Sequence, residues 1–546
     1  MLQGKQAKRY IFRGFSAGLG QHLFDERVPG YAIATNAITR FGAMQNGLKE
    51  DVDLTGIAAA YRVVKQIKHN GVNIRITYNG TDSRIYRVEA GVWALKETVV
   101  TAQCTDVISF EDSSNNEILA WCFAGDASFR YSTDNGATWI ASTFAGTSDN
   151  PKYFLNQQNN LTGSRVLWVV NPNQIYFATS LINGTTVTTS SEIGDDSDDD
   201  FFTCLAQNTL GVVYVGKKNT LYAYANGPSV VVHGPVPDNP DDAGGQSDRE
   251  NFENPKMLSN GTMIFQVGGY DLIGIAPDGT KFVELSPRWQ AIRNGWNCPR
   301  LDLPINAIEV IGDNLVAALG DGDATTTKSV VGRPGGTTLL QNTLVNVSEL
   351  YSAVLEGNDL IWHGSELTCT SLLRGMAYDD ATGYLYLFSG ASEAVDLQAR
   401  RCYYFLSAPE IKIISSNIQL NANEALVESS LLGFEDDDAY DKLVPVHVKA
   451  VVTGLASTVP SLVIATRWVP EFDTSTAYST AETYTNNQRA QTGTRLMGYY
   501  YTSNSGRIRL RLLGDTTSAP DRFAQLHSVE LLVAPFAAAR LPVGAL

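Results

Sequence analysis

The sequence predicts an all-β protein: a β-propeller of about seven blades followed by a C-terminal antiparallel β-sandwich. Three observations predict it. Short apolar or alternating runs recur through the middle of the chain, separated by turn dipeptides such as Asn79-Gly80, Asn135-Gly136, Asn226-Gly227 and Asp278-Gly279. One octapeptide, Ser132-Thr133-Asp134-Asn135-Gly136-Ala137-Thr138-Trp139, has the form S-x-D-x-G-x-T-W. Its Asp suits a side-chain-to-backbone turn and its Gly tolerates positive φ. Beyond residue 409 the runs lengthen and alternate strictly, as in Arg507-Ile508-Arg509-Leu510-Arg511-Leu512.

The elements follow in order. Residues 1–55 form an N-terminal arm carrying Lys5, Lys8, Arg9 and Arg13 and lacking the apolar core of a signal peptide. Residues 56–408 form the propeller. Thr55–Ile67 is its best helical candidate, although a strand from Tyr61 onward fits as well. Strand candidates include Val72–Tyr78, Gln174–Ala178, Met263–Val267 and Tyr384–Ser389. An internal echo supports a repeat: Arg84–Val88, Thr220–Tyr224 and Tyr384–Phe388 resemble one another, and each follows a polar turn. Residues 409–441 form a linker, and residues 442–546 the sandwich.

Composition narrows the function. Apolar residues make up 44% of the 546, enough for sizeable cores, and charged residues only 18%. The formal net charge of −16 argues against general nucleic-acid binding, which needs a basic footprint. An acidic wall would instead let DNA slide past without sticking. Cys104, Cys122, Cys204, Cys298, Cys369 and Cys402 form no C-x-x-C pair and read as buried thiols. The six histidines show no metal-ligand spacing, and no apolar run is long enough for a membrane helix.

Several motifs match chemistry without its context. Gly14-Phe15-Ser16-Ala17-Gly18 has the form of a nucleophile elbow but no strand-and-sheet setting. Gly211–Lys217 has the form of a phosphate loop, but its residues are β-like and Lys218 replaces the magnesium-binding hydroxyl. Asp195–Asp200 and Glu435–Asp438 are read as solvated acidic loops. Asp195–Asp200 fails the EF-hand pattern at its sixth and twelfth positions, Asp200 and Ala206. No catalytic residues, metal ligands or cofactor sites are assigned.

The octapeptide resembles the aspartate box, found between blade strands of sialidase-like and related propellers. That resemblance implies structural roles for Ser132, Asp134, Gly136, Thr138 and Trp139. The first fifty residues resemble the lead segment of phage tail propeller proteins: Gly14, Gly18 and Gly20, then Asn36, then Phe41-Gly42-Ala43. The chain departs from that pattern at Gln45-Asn46-Gly47, where a basic R-x-G commonly stands. The resemblance implies a tailed-phage virion component of tail hub, nozzle or tip type, made in the host cytoplasm. Its partners would be copies of itself and neighbouring tail or connector proteins, with DNA only as passing cargo, and it would be no enzyme. Two alternatives stay open. The sandwich would bind host-surface glycan through Trp468, Tyr499, Tyr500 and Tyr501, or the propeller would be a sialidase-like hydrolase.

Overall fold

The computed structural model describes residues 8–13, 15, 31–58, 60–112, 115–124, 128–143, 151–159, 163–170, 173–181, 188–194, 202–224, 228–236, 250–269, 271–283, 285, 305–320, 348–357, 359–369, 371–389, 399–408, 425–429, 432–433, 443–453, 461–467, 482–484, 491–494, 505–513 and 524–535. Among them there is no α-helix. The helical candidate Thr55–Ile67 gives way to a strand, Arg62–His69. It pairs with Val72–Tyr78 across Asn70-Gly71, whose φ values of 48° and 76° are both positive. That two-residue turn matches the twist of a hairpin, so strand pairing overrides the helical spacing.

Seven four-stranded antiparallel sheets form a seven-bladed propeller. Blade 1 holds Arg62–His69, Val72–Tyr78, Ser83–Glu89 and Val92–Val99. Blade 2 holds Gln103–Glu111, Glu117–Ala124, Phe129–Ser132 and Ile140–Ser142. Blade 3 runs from Tyr153 to Glu192, blade 4 from Phe202 to His233, blade 5 from Lys256 to Phe282 and blade 6 from Ile305 to Thr368. Blade 7 has Leu373–Asp379, Tyr384–Ser389 and Ala399–Tyr403, and its fourth strand is Glu50–Val52, from ahead of blade 1. The ring is therefore closed by joining the two ends of the propeller within one sheet.

Blade strands read as near-continuous apolar runs because both of their faces are buried between neighbours. Glu117–Ala124 shows the consequence of period-two alternation. Leu119, Trp121 and Phe123 enter the core shared with blade 1, while Ile118, Ala120 and Cys122 enter the core shared with blade 3. Comparable clusters fill the seams between blades 3 and 4, 4 and 5, 5 and 6, and 6 and 7. The seam between blades 7 and 1 differs. Its cluster of buried apolar residues holds only Val63, Tyr386 and Phe388.

A buried ion pair occupies that seam. Arg75 Nη1 donates to Asp53 Oδ2 at 2.7 Å, and Trp93 Nε1 donates to the same oxygen at 3.3 Å. The Arg75 guanidinium lies 4.0 Å from the Trp93 ring centroid and 4.9 Å from that of Phe388. Asp53 directly follows the strand that completes blade 7, whereas Arg75 and Trp93 belong to blade 1. Lys68 of blade 1 adds a second tie, donating to Asp379 Oδ1 of blade 7 at 2.5 Å.

Two further antiparallel sheets combine both ends of the chain. One has the order Lys8–Arg13, Gln525–Pro535, Leu443–Thr453, Gln491–Thr494. The other runs Tyr31–Thr35, Ala425–Ser429, Ser505–Leu513, Ser461–Arg467, Glu482–Tyr484. Val427, Leu462, Ile508, Leu510 and Leu512 of the second sheet share one apolar cluster with Ala450, Val529 and Leu531 of the first. These sheets take strands from outside residues 442–546. The 1–55 segment supplies Lys8–Arg13 and Tyr31–Thr35, and the 409–441 segment supplies Ala425–Ser429. The physical reason is edge satisfaction. Gln525–Pro535 and Ala425–Ser429 would otherwise each present an unpaired edge.

The same apolar cluster includes Ile308, Leu315 and Trp362 of blade 6, so the terminal sheets and the propeller share a core. The contact is close. A Cβ on Gly364 would lie 2.1 Å from Ala34 Cβ, leaving room there for glycine alone. Arg40 and Glu366 are buried at the same joint, with Arg40 Nε 3.0 Å from Glu366 Oε1. The Arg40 guanidinium also stacks 4.5 Å from the Tyr404 ring.

Candidate functional site

The first strand of each blade lies innermost, and these strands surround a central cavity of about 360 Å³. Five of them carry a register shift against the second strand, between Val63 and Lys65, Cys104 and Asp106, Phe202 and Cys204, Ile305 and Ala307, and Leu373 and Gly375. Each shift skips one residue: Val64, Thr105, Thr203, Asn306 and Arg374. All five skipped residues line the cavity. A bulge leaves its extra residue outside the ladder and re-aims it. Repetition in five blades turns that local device into a ring of re-aimed side chains.

Ionisable groups join the ring. Arg62, Lys65, Lys152, Lys256 and Arg374 line the cavity with Glu250, Glu253 and Glu309. Two of these cations are committed to neighbouring blades. Lys65 Nζ donates to Asp106 Oδ1 at 2.5 Å, joining blades 1 and 2. Lys256 Nζ donates to Glu309 Oε2 at 2.8 Å, joining blades 5 and 6. Asp106 reaches a third blade through Oδ2, which accepts from the Phe154 backbone N–H at 3.0 Å. Burial lowers the Lys152 ammonium pKa, and Glu253 and Glu250 oppose that shift. Among the described residues the cavity wall thus carries more cations than carboxylates, inside an acidic protein.

The octapeptide lies between the third and fourth strands of blade 2. Ser132 Oγ donates to Asp134 Oδ1 at 2.7 Å and accepts from the Gly136 N–H at 2.9 Å. Asp134 Oδ1 accepts from the Thr138 N–H at 2.9 Å, and Oδ2 from the Thr138 hydroxyl at 2.6 Å. Partial desolvation pushes the Asp134 carboxyl up, but these hydrogen bonds outweigh it and hold the pKa at about 2. Gly136 has φ +79°, and Trp139 meets the buried Trp121 edge-on at 6.1 Å. The carboxylate is thus saturated with donors from its own turn.

The other sequence candidates scatter. Trp468, Tyr499, Tyr500, Tyr501, Ser16, Asp195–Asp200 and Glu435–Asp438 lie outside the described residues. Val213–Lys217 is the second strand of blade 4, so the phosphate-loop match has no loop. Cys104, Cys122, Cys204, Cys369 and Cys402 are buried free thiols, and burial raises Cys104 and Cys204 to about 12. A thiol so raised is a poor nucleophile. His69 Nδ1 is 2.8 Å from Ser109 Oγ, and burial pushes the His363 imidazole down to about 3. Among the described residues, no group of His, Cys, Asp or Glu is placed to hold a metal ion, and no helix is long and apolar enough to cross a membrane.

Sequence reasoning missed Glu349, a buried carboxyl in the third strand of blade 6. Burial raises its pKa to about 7, and a 2.8 Å hydrogen bond from the Tyr351 hydroxyl opposes the shift. The folded pKa exceeds the unfolded one, so the unfolded chain releases this proton first as pH rises. Stability should therefore fall by about 3 kcal/mol between the ordinary carboxyl pKa and neutrality, then level off. Urea unfolding of the wild type and of Glu349→Gln at about pH 5 and about pH 7.5 checks this. The variant should lack that part of the pH dependence, and an unchanged wild-type slope would refute the assignment.

No family model matches the chain, and no curated protein matches it. Solved propellers do. The chain is similar to a streptogramin B lyase structure at TM-score 0.40 and 11% identity, over 65% of this chain and 96% of that one. It is similar to YCF48 from Cyanidioschyzon merolae at TM-score 0.41 and 9% identity, over 66% and 98%. The Cps50 (Swd1) propeller domain of Myceliophteria thermophila gives TM-score 0.40 and 7% identity, over 65% and 100%. At such identities the likeness concerns the fold, and no function is taken from it.

Proposed function

We propose that the chain is a structural component of a tailed-phage virion, of tail hub, nozzle or tip type, working as one unit of a symmetric assembly. One observation carries the reading. Many of the buried or half-buried ion pairs tie blades or sheets together: Lys65–Asp106, Lys68–Asp379, Arg75–Asp53, Lys256–Glu309 and Arg40–Glu366. Buried charges in an enzyme commonly converge on a reacting centre with shifted acidities. Here they are spread around joints, as suits a body that must hold its shape under load. The succession of Gly-rich lead segment, propeller and terminal strand module agrees with the resemblance to phage tail propellers.

In this role the propeller flanks make subunit contacts through buried apolar area and shape fit. A DNA passage, where present, is formed between subunits and carries the acidic surplus. The experiment is electron microscopy of the purified chain beside a sialoside turnover assay. Rings or symmetric tips without turnover are expected. Monomers that hydrolyse the sialoside would replace this reading with the glycosidase one.

A further inference from the structure

A polar cluster bridges blades 1 and 2 beside the Asn70-Gly71 turn. His69 ends the first strand of blade 1, and Ser109 lies on the first strand of blade 2. His69 Nδ1 is 2.8 Å from Ser109 Oγ. His69 is only 4% exposed, whereas Ser109 is exposed. The other ring nitrogen, Nε2, lies beside Asn70, whose Nδ2 donates to Glu117 Oε2 and, at 2.9 Å, to Asn135 Oδ1. Asn135 occupies an unspecified position of the S-x-D-x-G-x-T-W octapeptide. The turn that saturates Asp134 thus aims Asn135 at blade 1.

These contacts fix which ring nitrogen carries the proton. An amide nitrogen has two hydrogens. Glu117 and Asn135 accept both from Asn70, so its 3.4 Å approach to Nε2 brings no donor. Asn135 hydrogen-bonds the ring and Glu117 attracts positive charge to it, so Nε2 bears the proton. Nδ1 is then bare and accepts from the Ser109 hydroxyl. Burial lowers the His69 pKa below its ordinary 6.5 despite those two influences. The ring is therefore neutral at about pH 7, the state a general base requires. A hydroxyl bonded to a base that a third group orients is the arrangement of an activated nucleophile.

We propose that Ser109 is a base-activated acyl acceptor, with His69 as its base and Asn135 as the residue that positions the ring. Ser109 Oγ attacks the carbonyl carbon of an ester while its proton passes to His69 Nδ1. The bond from that carbon to the leaving oxygen breaks, and the imidazolium returns the proton to the departing oxygen. The products are an O-acylserine and a free alcohol or phenol. An exposed hydroxyl has no enclosing wall to hold a poor substrate, so the donor is a small activated ester. The inference is independent of the assembly reading, and either stands if the other falls.

Brief incubation of the full chain with p-nitrophenyl acetate, quenched with acid, tests the proposal. Intact mass and peptide mapping should place an acetyl group on Ser109, formed together with a burst of nitrophenolate. His69→Gln should slow that acetylation by about a hundredfold or more. The wild-type rate should rise to a plateau with its midpoint below about pH 6.5. Glu117→Gln removes a charge that raises the His69 pKa, so it should move that midpoint to lower pH. Should His69→Gln fail to fold, the pH profile decides. No acetyl on Ser109, a His69→Gln rate within about threefold of wild type, or a rate still climbing beyond about pH 8 would overturn the proposal.

Discussion

Asp53→Ala should lower the unfolding free energy by about 3–5 kcal/mol. The carboxylate is the charge partner of an Arg75 side chain with no solvent exposure, and Trp93 also donates to it. Removing it leaves a guanidinium desolvated between Trp93 and Phe388. Gln66 Oε1, which accepts from Arg75 Nε at 3.0 Å, supplies no compensating charge. The loss falls on the seam with the fewest apolar residues in its cluster, leaving the Lys68–Asp379 tie and the pairing of Glu50–Val52 to hold the ring closed. Replacing both partners by apolar residues, as in Asp53→Leu with Arg75→Met, should recover much of the loss. Urea midpoints of the three proteins check both statements. A single-variant loss under about 1 kcal/mol would mean that the pair contributes no more than a surface contact.

Glu366→Ala should have a cost of similar size, about 3–5 kcal/mol. Burial raises the Glu366 carboxyl pKa and Arg40 opposes the shift. Without the carboxylate, Arg40 keeps only the faces of Phe41 and Tyr404, at 4.2 Å and 4.5 Å. This joint fastens the segment after Tyr31–Thr35 to the outer strand of blade 6, so limited proteolysis within residues 31–48 should accelerate in the variant. The two ion pairs share no partner among the contacts described. Their losses should therefore add to within about 0.5 kcal/mol in the double variant. A strong departure from additivity would show that the closing seam and the terminal sheets are coupled.

Much of the propeller was legible because its strands are short apolar runs between strong turn signals. Val72–Tyr78, Gln174–Ala178, Met263–Val267 and Tyr384–Ser389 were bounded to the residue. The helical reading of Thr55–Ile67 failed because its small apolar residues mimic a 3.6 period, while the deciding hairpin turn, Asn70-Gly71, lies just beyond that window. That dipeptide was the available signal. The closing strand Glu50–Val52 is too short and too polar to announce itself, and its partner lies some 350 residues away. The inner-strand bulges left no mark either, since a skipped residue looks like any other until its partner strand is known. Asp53–Arg75 and Arg40–Glu366 were unreadable for the same reason: ring closure and sheet pairing bring them together.

The pairing of the chain's two extremities has a temporal consequence. Gln525–Pro535 lies between Lys8–Arg13 and Leu443–Thr453, so among the described strands the first to leave the ribosome is bound by the last. Blades built from consecutive hairpins can assemble during synthesis. Lys8–Arg13 must wait for its neighbour until residue 535 has been translated. Such distant pairing carries a large loop-closure entropy and makes the sheet a late event in maturation. A truncated product therefore forfeits the partner of its earliest strand as well as its own tail, and the cell receives an incomplete fold with an open edge that proteases and chaperones recognise.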